Sequence, residues 1–506
     1  KRVFVTLDEP TLTENGADLP KLMSELRKRN LHNVQIGLEN LRALPEVLRA
    51  GSWQATVTVV EIDGQQRIVS IEPGHVKAPL LGLAIDIGTT TVVVNLVNIE
   101  TGEIIDSQGS YNKQARYGDD VITRIVHATD EEKGLADLQQ AVLNTINELV
   151  DKLLTANNLE VDQLKAAVVA GNTTMTQLFL GINPKYIRLE PYIPTVAQVP
   201  IIKASELGLR LNSEAIIYNF PAVASYVGGD IVSGVLATNM AKEDAVVLFI
   251  DIGTNGEMVL GNQDWLVTCA CSAGPAFEGG GITFGTRAMT GAIERVIIEP
   301  NSFEVELKTI GNGKPMGICG SGLIDGLSKL RNAGLIDRSG KFNQNIDSNR
   351  LRRTDEDWEF VLAWADDTEL GKDIVLTESD IKNIIRAKGA IYSGIRTMLK
   401  MMELDGYAIE KIIIAGGFGN FLNISDAIQI GLLPDLPLDK YLFLGNSSVK
   451  GAKIALLSKE ALLEAEEVGR KMTYLELSVG NAFMDEFVSA LFLPHTDLSQ
   501  FPSVKQ

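Results

Sequence analysis

The sequence predicts an α/β protein whose main body is a duplicated strand-and-helix unit, preceded by a small α+β domain. Three observations carry this. From about residue 81 onward, apolar strands alternate with amphipathic helices. The stretch Leu83-Ala84-Ile85-Asp86-Ile87-Gly88-Thr89-Thr90 returns as Phe249-Ile250-Asp251-Ile252-Gly253-Thr254-Asn255, with the two aspartates 165 residues apart. Another 165 residues on, Gly416 sits in Ile412-Ile413-Ile414-Ala415-Gly416-Gly417, again a strand running into glycine. The boundaries that follow are 1–78 for the small domain and about 79–245 and 246–506 for the two halves. The C-terminal helix is expected to return to the first half.

In the small domain, residues 2–7 read as a strand. A helix follows over 19–29, with Leu22, Met23 and Leu26 on one face, and a second near 41–48. Strands 54–60 and 66–71 pair as a hairpin across Asp63-Gly64. Beyond residue 81, Thr101-Gly102 turns the second strand of the first half into a third. A helix is expected over 132–154, a buried strand over 166–170 ending in Gly171-Asn172-Thr173-Thr174, and a helix near 226–240. In the second half, a polar insert near 333–376 carries a hairpin at 359–364 and 374–376. Thr377-x-x-Asp380 opens a helix as a capping box. Its apolar face is Ile381, Ile384, Ile385, Ile391 and Ile395. A helix near 452–471, a strand at 473–477 and a terminal helix near 482–491 close the chain.

Composition narrows the function. The formal charge of −19 opposes nucleic-acid binding, which needs clustered Lys and Arg. No apolar run is long enough to span a membrane. Three cysteines (Cys269, Cys271, Cys319) fit buried thiols in a reducing cytoplasm and cannot complete a four-cysteine cluster. The four histidines form no metal spacing. The sequence opens on Lys1 without a signal-peptide pattern, as a processed or truncated product would.

A single Asp-x-Gly-Thr would be only a hairpin turn. Two copies at equal spacing, with the third glycine turn, point to nucleotide binding. Glycine lets backbone N–H groups approach an anion. The following Thr or Asn adds a short donor. Carboxylates at Asp86 and Asp251 suit a hydrated Mg²⁺ held through water. No P-loop and no Gly-x-Gly-x-x-Gly after a strand is present. The aspartic-protease alternative is opposed by Ile87 and Ile252, which stand where that pattern has a hydroxyl.

The three turns resemble the actin, sugar-kinase and 70-kDa heat-shock ATPase superfamily, a duplicated actin-like (ribonuclease H-like) fold that holds ATP between its halves. The resemblance implies a first phosphate loop at Asp86, Gly88, Thr89 and Thr90. A second lies at Asp251, Gly253, Thr254 and Asn255, and an adenosine loop at Gly416 and Gly417. Asn172 matches the first connecting segment. Asp230, in Gly228-Gly229-Asp230, is placed where an acid positions the attacking water, although a helix N-cap explains it as well. Arg386-Ala387-Lys388 resembles the helix beside the adenine. Lys388 is therefore a candidate nucleotide contact, with solvated surface as the plainer reading.

Finer texture narrows the family. Gly171-Asn172-Thr173-Thr174-Met175, Ser272-Ala273-Gly274-Pro275-Ala276-Phe277-Glu278-Gly279, Gly317-Ile318-Cys319-Gly320-Ser321-Gly322 and Ala415-Gly416-Gly417-Phe418-Gly419 resemble the reductive activators of corrinoid proteins, over essentially the whole chain. The resemblance implies ATP-driven one-electron reduction of Co(II) to Co(I) on a corrinoid/iron–sulfur partner. It also implies a homodimer and an electron donor acting through a [2Fe–2S] domain. That domain is expected upstream of Lys1. A small-molecule kinase, and a chaperone-like or filament-forming ATPase, remain alternatives on the same fold.

Overall fold

The structure, a computed structural model, describes residues 1–62, 64–253, 255–416 and 422–504. The chain divides into two compact units. The first comprises Lys1–Ala237 and Ser448–Arg470, and the second Thr238–Ser447 and Lys471–Gln506.

The first unit begins with the small α+β domain. Its strands are β1 (Arg2–Thr6), β2 (Val34–Ile36), β3 (Gln54–Ile62) and β4 (Gln65–Pro73), in the order β1-β3-β4-β2. Helices α1 (Asp18–Lys28) and α2 (Leu38–Ala50) bury Leu22, Leu26, Leu44 and Leu48 in its core. The expected hairpin joins β3 to β4, though Asp63 lies outside the described residues. Three-residue β2 is too short to show a period of two.

A six-stranded sheet follows, built from β5 (Leu81–Ile87), β6 (Thr91–Asn98), β7 (Ile104–Tyr111), β8 (Leu164–Gly171), β9 (Ile202–Lys203) and β10 (Ile216–Asn219). Its order is β7-β6-β5-β8-β10-β9. The first three strands are antiparallel, and β5, β8 and β10 are parallel. Helices α3 (Val121–Asp130), α4 (Gly134–Asn157), α5 (Thr173–Leu180), α6 (Ala204–Leu207) and α7 (Gly229–Thr238) complete this part. The apolar stripe of α4, Leu138, Val142, Ile146, Leu149 and Leu153, is fully buried with β5 and β6 residues.

The second unit repeats the plan. Strands β11 (Val247–Ile252), β12 (Gly256–Gly261) and β13 (Leu266–Cys271) form an antiparallel meander. An insert then supplies β14 (Ala292–Ile298), β15 (Val305–Thr309) and β16 (Gly317–Ile318) as one three-stranded sheet, and α8 (Gly320–Asn332). A second small sheet holds β17 (Leu351–Arg353), β18 (Trp358–Ala363) and β19 (Ile374–Thr377). After α9 (Glu378–Met401), the main sheet resumes with β20 (Lys411–Ala415), α10 (Ile424–Gln429) and β21 (Tyr441–Gly445). Read from its third strand, the order β13-β12-β11-β20-β21 matches β7-β6-β5-β8-β10. The duplication legible in the turns is thus a duplication of topology.

The helix expected over 452–471 is two, α11 (Ser447–Leu457) and α12 (Lys459–Lys471), broken at Ser458, whose hydroxyl accepts the Ala461 N–H. Most of this stretch belongs to the first unit. After β22 (Met472–Tyr474), α13 (Ala482–Ala490) packs on α9 within the second unit, so the terminal helix does not group with the first half.

Within the first unit, the small domain is fastened to the six-stranded part by charge. Glu214 is almost fully buried and pairs with Lys203 at 2.8 Å and with Arg67 of β4 at 3.2 Å. A Cβ on Gly37 would fall 2.5 Å from the same carboxylate. Lys165–Glu72 at 3.3 Å and Arg2–Glu100 at 2.8 Å add to the seam. Removing one partner of a buried ion pair costs about 3–5 kcal/mol, discounted here for the partial exposure of both cations. Glu214→Ala is therefore expected to destabilise the first unit by about 1–3 kcal/mol. It should also speed proteolytic cutting near 74–80. Wild-type thermal unfolding and cutting rates would show that the seam is held by other contacts.

Candidate functional site

In the first unit, β5 ends at Asp86-Ile87 and the chain turns through Gly88-Thr89-Thr90 into β6. Three hydrogen bonds hold this turn. Gly88 N–H donates to Thr91 O at 2.9 Å. Asn112 Nδ2 donates to Gly88 O at 3.0 Å, and Asn112 N–H to Thr90 O at 2.9 Å. A Cβ on Gly88 would lie 2.7 Å from Thr91 O, so the turn requires glycine. Because β8 is parallel to β5, its end brings Asn172 alongside. Asn172 caps α5 through the Met175 N–H (2.9 Å), and its amide donates to Thr89 Oγ1 (3.1 Å). Gly228 packs against this cap, where a Cβ would fall 2.5 Å from the Asn172 Cα. That contact brings the start of α7, and with it Asp230, to the same end of the sheet. The Asp230 carboxylate accepts the neighbouring Ile231 N–H.

Sequence reasoning assigned no role to Ser448. Its hydroxyl donates to Asp86 Oδ1 at 2.8 Å, while its carbonyl accepts Ser233 Oγ at 2.6 Å. The signal was the Gly445-Asn446-Ser447-Ser448 turn, but nothing in the sequence linked it to an aspartate 362 residues earlier.

In the second unit, Asp251 is the penultimate residue of β11, with Glu257 opposite on β12 and Ala415 opposite on β20. Gly253 N–H donates to Asn255 O at 3.0 Å. Gly416, at φ +103°, lies against Asp251 and Ile252. A Cβ there would sit 2.4 Å from Ile252 O and 3.1 Å from Asp251 Oδ1. The Asp-x-Gly-Thr turn and the glycine turn after β20 are therefore one locus. Thr254 and Gly417 lie outside the described residues. Glu278, from the Pro275–Glu278 turn, approaches Gly253, whose added Cβ would lie 3.7 Å from Glu278 Oε1. This acid was missed as well. Asp380 holds the neighbouring loop by accepting Thr283 N–H (2.8 Å) while completing the expected capping box with Thr377.

Lys388 corrects an expectation. It is fully buried, and its Nζ donates to Phe492 O (2.6 Å) and Pro494 O (2.7 Å). Burial drives its pKa well down. Seven residues from both Ile381 and Ile395 and four from Ile384, Lys388 lies on the apolar stripe of α9, so the helical period turns it inward. The terminal segment then covers that flank, so the amine holds the chain's own carbonyls and is not available to a nucleotide. Arg386 remains exposed on the neighbouring turn.

Between α8 and α10 lies a second acidic feature. Asp426 accepts from Ser328 Oγ, Lys329 Nζ and Asn423 Nδ2, each at 2.6 Å. Asp325 is buried beside it, 3.5 Å from Arg295, with Oδ1 unpartnered among the described residues. Burial, reinforced by the Asp426 charge, pushes Asp325 up to about 7. All three cysteines are buried, and burial raises the Cys269 and Cys271 thiols, which disfavours the thiolate.

Two sheets of the same order, each with an Asp-x-Gly-Thr turn after its first strand, define an actin-like, sugar-kinase-like protein of the ASKHA class. The family follows from the matches. The "C-terminal domain of RACo the ASKHA domain" matches residues 245–505, the "RACo middle region" 81–243 and the "RACo linker region" 1–78. The chain belongs to the RACo family. It is 33% identical over 430 residues to the corrinoid activation enzyme RamQ of Eubacterium limosum, spanning 83% of this chain and 72% of that protein. It is 24% identical over 445 residues to the [Co(II) methylated amine-specific corrinoid protein] reductase of Methanosarcina barkeri, spanning 81% and 77%. A solved reductive activator for corrinoid,iron-sulfur protein superposes with a TM-score of 0.91 at 54% identity, over all of this chain and 80% of that one. The resemblance and fold drawn from the motifs are borne out.

Asp325 provides a pH test. Its folded pKa lies above the unfolded value of about 4, so its contribution to stability is full below pH ~4 and lost as pH rises through about 7. Asparagine does not titrate. The stability of the wild type relative to Asp325→Asn should fall between pH 4 and 7 in urea unfolding. A difference that stays constant with pH would mean the acid is ionised in the fold.

Proposed function

We propose that this chain is an ATP-dependent reductive activator that drives reduction of Co(II) to Co(I) on a corrinoid/iron–sulfur partner protein. The observation that carries it is the pair of equivalent strand ends, Asp86 on β5 and Asp251 on β11, in a chain of the RACo family. The phosphates of MgATP are the ligand assigned to each of these turns. Thr89 and Thr90 supply one set of donors, and Thr254 and Asn255 the other, while Gly88 and Gly253, whose own N–H groups are spent within their turns, let the phosphates approach. Gly416 and Gly417 leave bare backbone for the adenosine. Asn172 lies beside the first loop, and Asp230 is assigned the role of orienting the attacking water on family resemblance. Asp86 is half-buried, with one oxygen spent on Ser448. That suits a carboxylate holding Mg²⁺ through its water shell rather than directly. Lys388 is excluded from the nucleotide contacts.

The chemistry divides between two processes. Hydrolysis converts ATP and water to ADP and phosphate. Reduction moves one electron from a reduced [2Fe–2S] cluster, carried on a segment outside this sequence, to cobalt on the partner. That reduction is uphill from ordinary donors, so ATP must bias a conformational pair in which the cobalt coordination differs. The names of the relatives support corrinoid activation over the small-molecule kinase alternative. A homodimer is proposed on family resemblance. No helix among the described residues is long and apolar enough to cross a membrane.

Phosphoryl transfer rests on positioning and charge neutralisation, and losing one such element costs about 10²–10³ in rate. Asp251→Ala and Asp86→Ala should each lose Mg²⁺-dependent ATP hydrolysis by that order, measured as phosphate release. Wild-type turnover in either would remove that residue from the site.

A second test concerns coupling. The chain alone should hydrolyse ATP and bind the corrinoid partner without producing Co(I). An N-terminal extension carrying a [2Fe–2S] cluster should restore ATP-dependent Co(I), read in the corrinoid absorption spectrum. Equal Co(I) formation by the unextended chain with a chemical donor would make the cluster segment dispensable.

A further inference from the structure

Arg124 lies on α3 and is wholly buried, yet nothing above uses it. Burying a guanidinium without a carboxylate partner is costly, and no ion pair reaches it among the described residues. Its acceptors are neutral. Nε donates to Gly118 O at 2.8 Å, and Nη1 donates to Gln114 Oε1 at 3.2 Å and lies 3.4 Å from Met175 Sδ. Nη2 is buried and unpartnered among the described residues. Asp119 and Asp120 act on it through space, but Asp120 spends its side chain capping α3 through Thr123. Burial lowers the guanidinium to about 10, so it stays charged at neutral pH.

The charge is wired to the first turn. Gln114 Oε1 also accepts from Asn112 Nδ2 at 3.3 Å, and that same amide holds Gly88 O at 3.0 Å. A second link runs through Met175, whose N–H is capped by Asn172, the residue that donates to Thr89 Oγ1. A trans peptide sends its C=O and N–H to opposite sides. With the Gly88 carbonyl drawn inward by Asn112, the Thr89 N–H faces the other way, off the turn.

We propose that Arg124 is a positioning residue for the nucleotide's polyphosphate. It is a fixed positive charge behind the Gly88-Thr89-Thr90 turn, and through Gln114 and Asn112 it keeps the turn's amides presented outward. The inference rests on that turn being a phosphate loop. It commits to a selective effect: affinity for phosphates, not for adenosine, depends on the charge. A purely structural arginine would weaken both ligands alike.

The test uses the full chain and calorimetric titration of MgATP and of adenosine. Arg124→Met is expected to bind MgATP about tenfold more weakly, the order expected when one preorganised charge is removed from a low-dielectric site, with adenosine unchanged. Arg124→Lys, which keeps the charge, should recover part of the loss. Gln114→Glu pairs the guanidinium with a carboxylate, cancelling the net charge without removing the arginine, and should reproduce the MgATP-specific loss, which keeps the inference testable if Arg124→Met does not fold. Unchanged MgATP affinity in both the Arg124→Met and Gln114→Glu variants, or an equal loss for adenosine, would overturn the assignment. A wild-type chain that binds adenosine but gains nothing from the phosphates would instead sink the phosphate-loop reading, before any variant is made.

Discussion

The close approach of Gly416 to the end of β11 is the constraint on which the second unit's candidate site depends. With a Cβ excluded by Ile252 O at 2.4 Å, three chain segments meet where no side chain intervenes. The Asp251 carboxylate, the Gly253 turn and the turn after β20 become one surface because backbone touches backbone. The first unit reaches a comparable arrangement by a different device. There Gly228 closes on the Asn172 cap, and Asn112 reaches across to the Gly88 carbonyl. In both units the sheet order places the first and fourth strands side by side, so that adjacent strand ends carry the residues of interest. Ligands in open α/β sheets gather outside the carboxyl ends of strands for this reason.

What was legible in the sequence was local or repeated. The capping box at Thr377 and Asp380 and the five isoleucines of α9 formed as read, because each is written within a few residues. The identity of the strand order in the two units needed only the recognition that the turns recur. What escaped was set by distant chain. Ser448 reaches Asp86 across 362 residues, and Glu278 meets Gly253 only because an intervening meander folds back. Lys388 was misplaced because its charge was weighed above its spacing. Its spacing from Ile381, Ile384 and Ile395 puts it on the buried stripe, but a lysine there needs acceptors, and these come from Phe492 and Pro494, more than a hundred residues later. Arg124 was invisible because a lone arginine in an amphipathic helix is expected at the surface.

The seam between the small domain and the six-stranded part of the first unit has a different character from the cores on either side. It is made of Glu214, Arg67, Lys165, Glu72, Arg2 and Glu100 rather than of packed aliphatics. Ionic seams contribute less net stability than apolar ones of equal area, while fixing orientation through directional bonds. A linker held this way keeps a defined attachment to the part of the chain bearing the first turn. It remains separable from it at modest cost.

The path of the chain has a consequence for how the molecule is made. It leaves the second unit at Ser448, contributes a helical stretch to the first, and returns at Lys471. The first unit therefore lacks the serine that meets Asp86 until synthesis has passed residue 448. The second lacks β22, and the carbonyls that Lys388 holds, until later still. On the ribosome, both sheets wait with an edge or an end unfinished, in a chain dominated by contacts far apart in sequence, the circumstance in which folding is slow and premature association is most dangerous. The excess of acidic side chains, −19 overall, then acts before there is any nucleotide to bind. It keeps neighbouring nascent chains apart during the interval when neither unit can close.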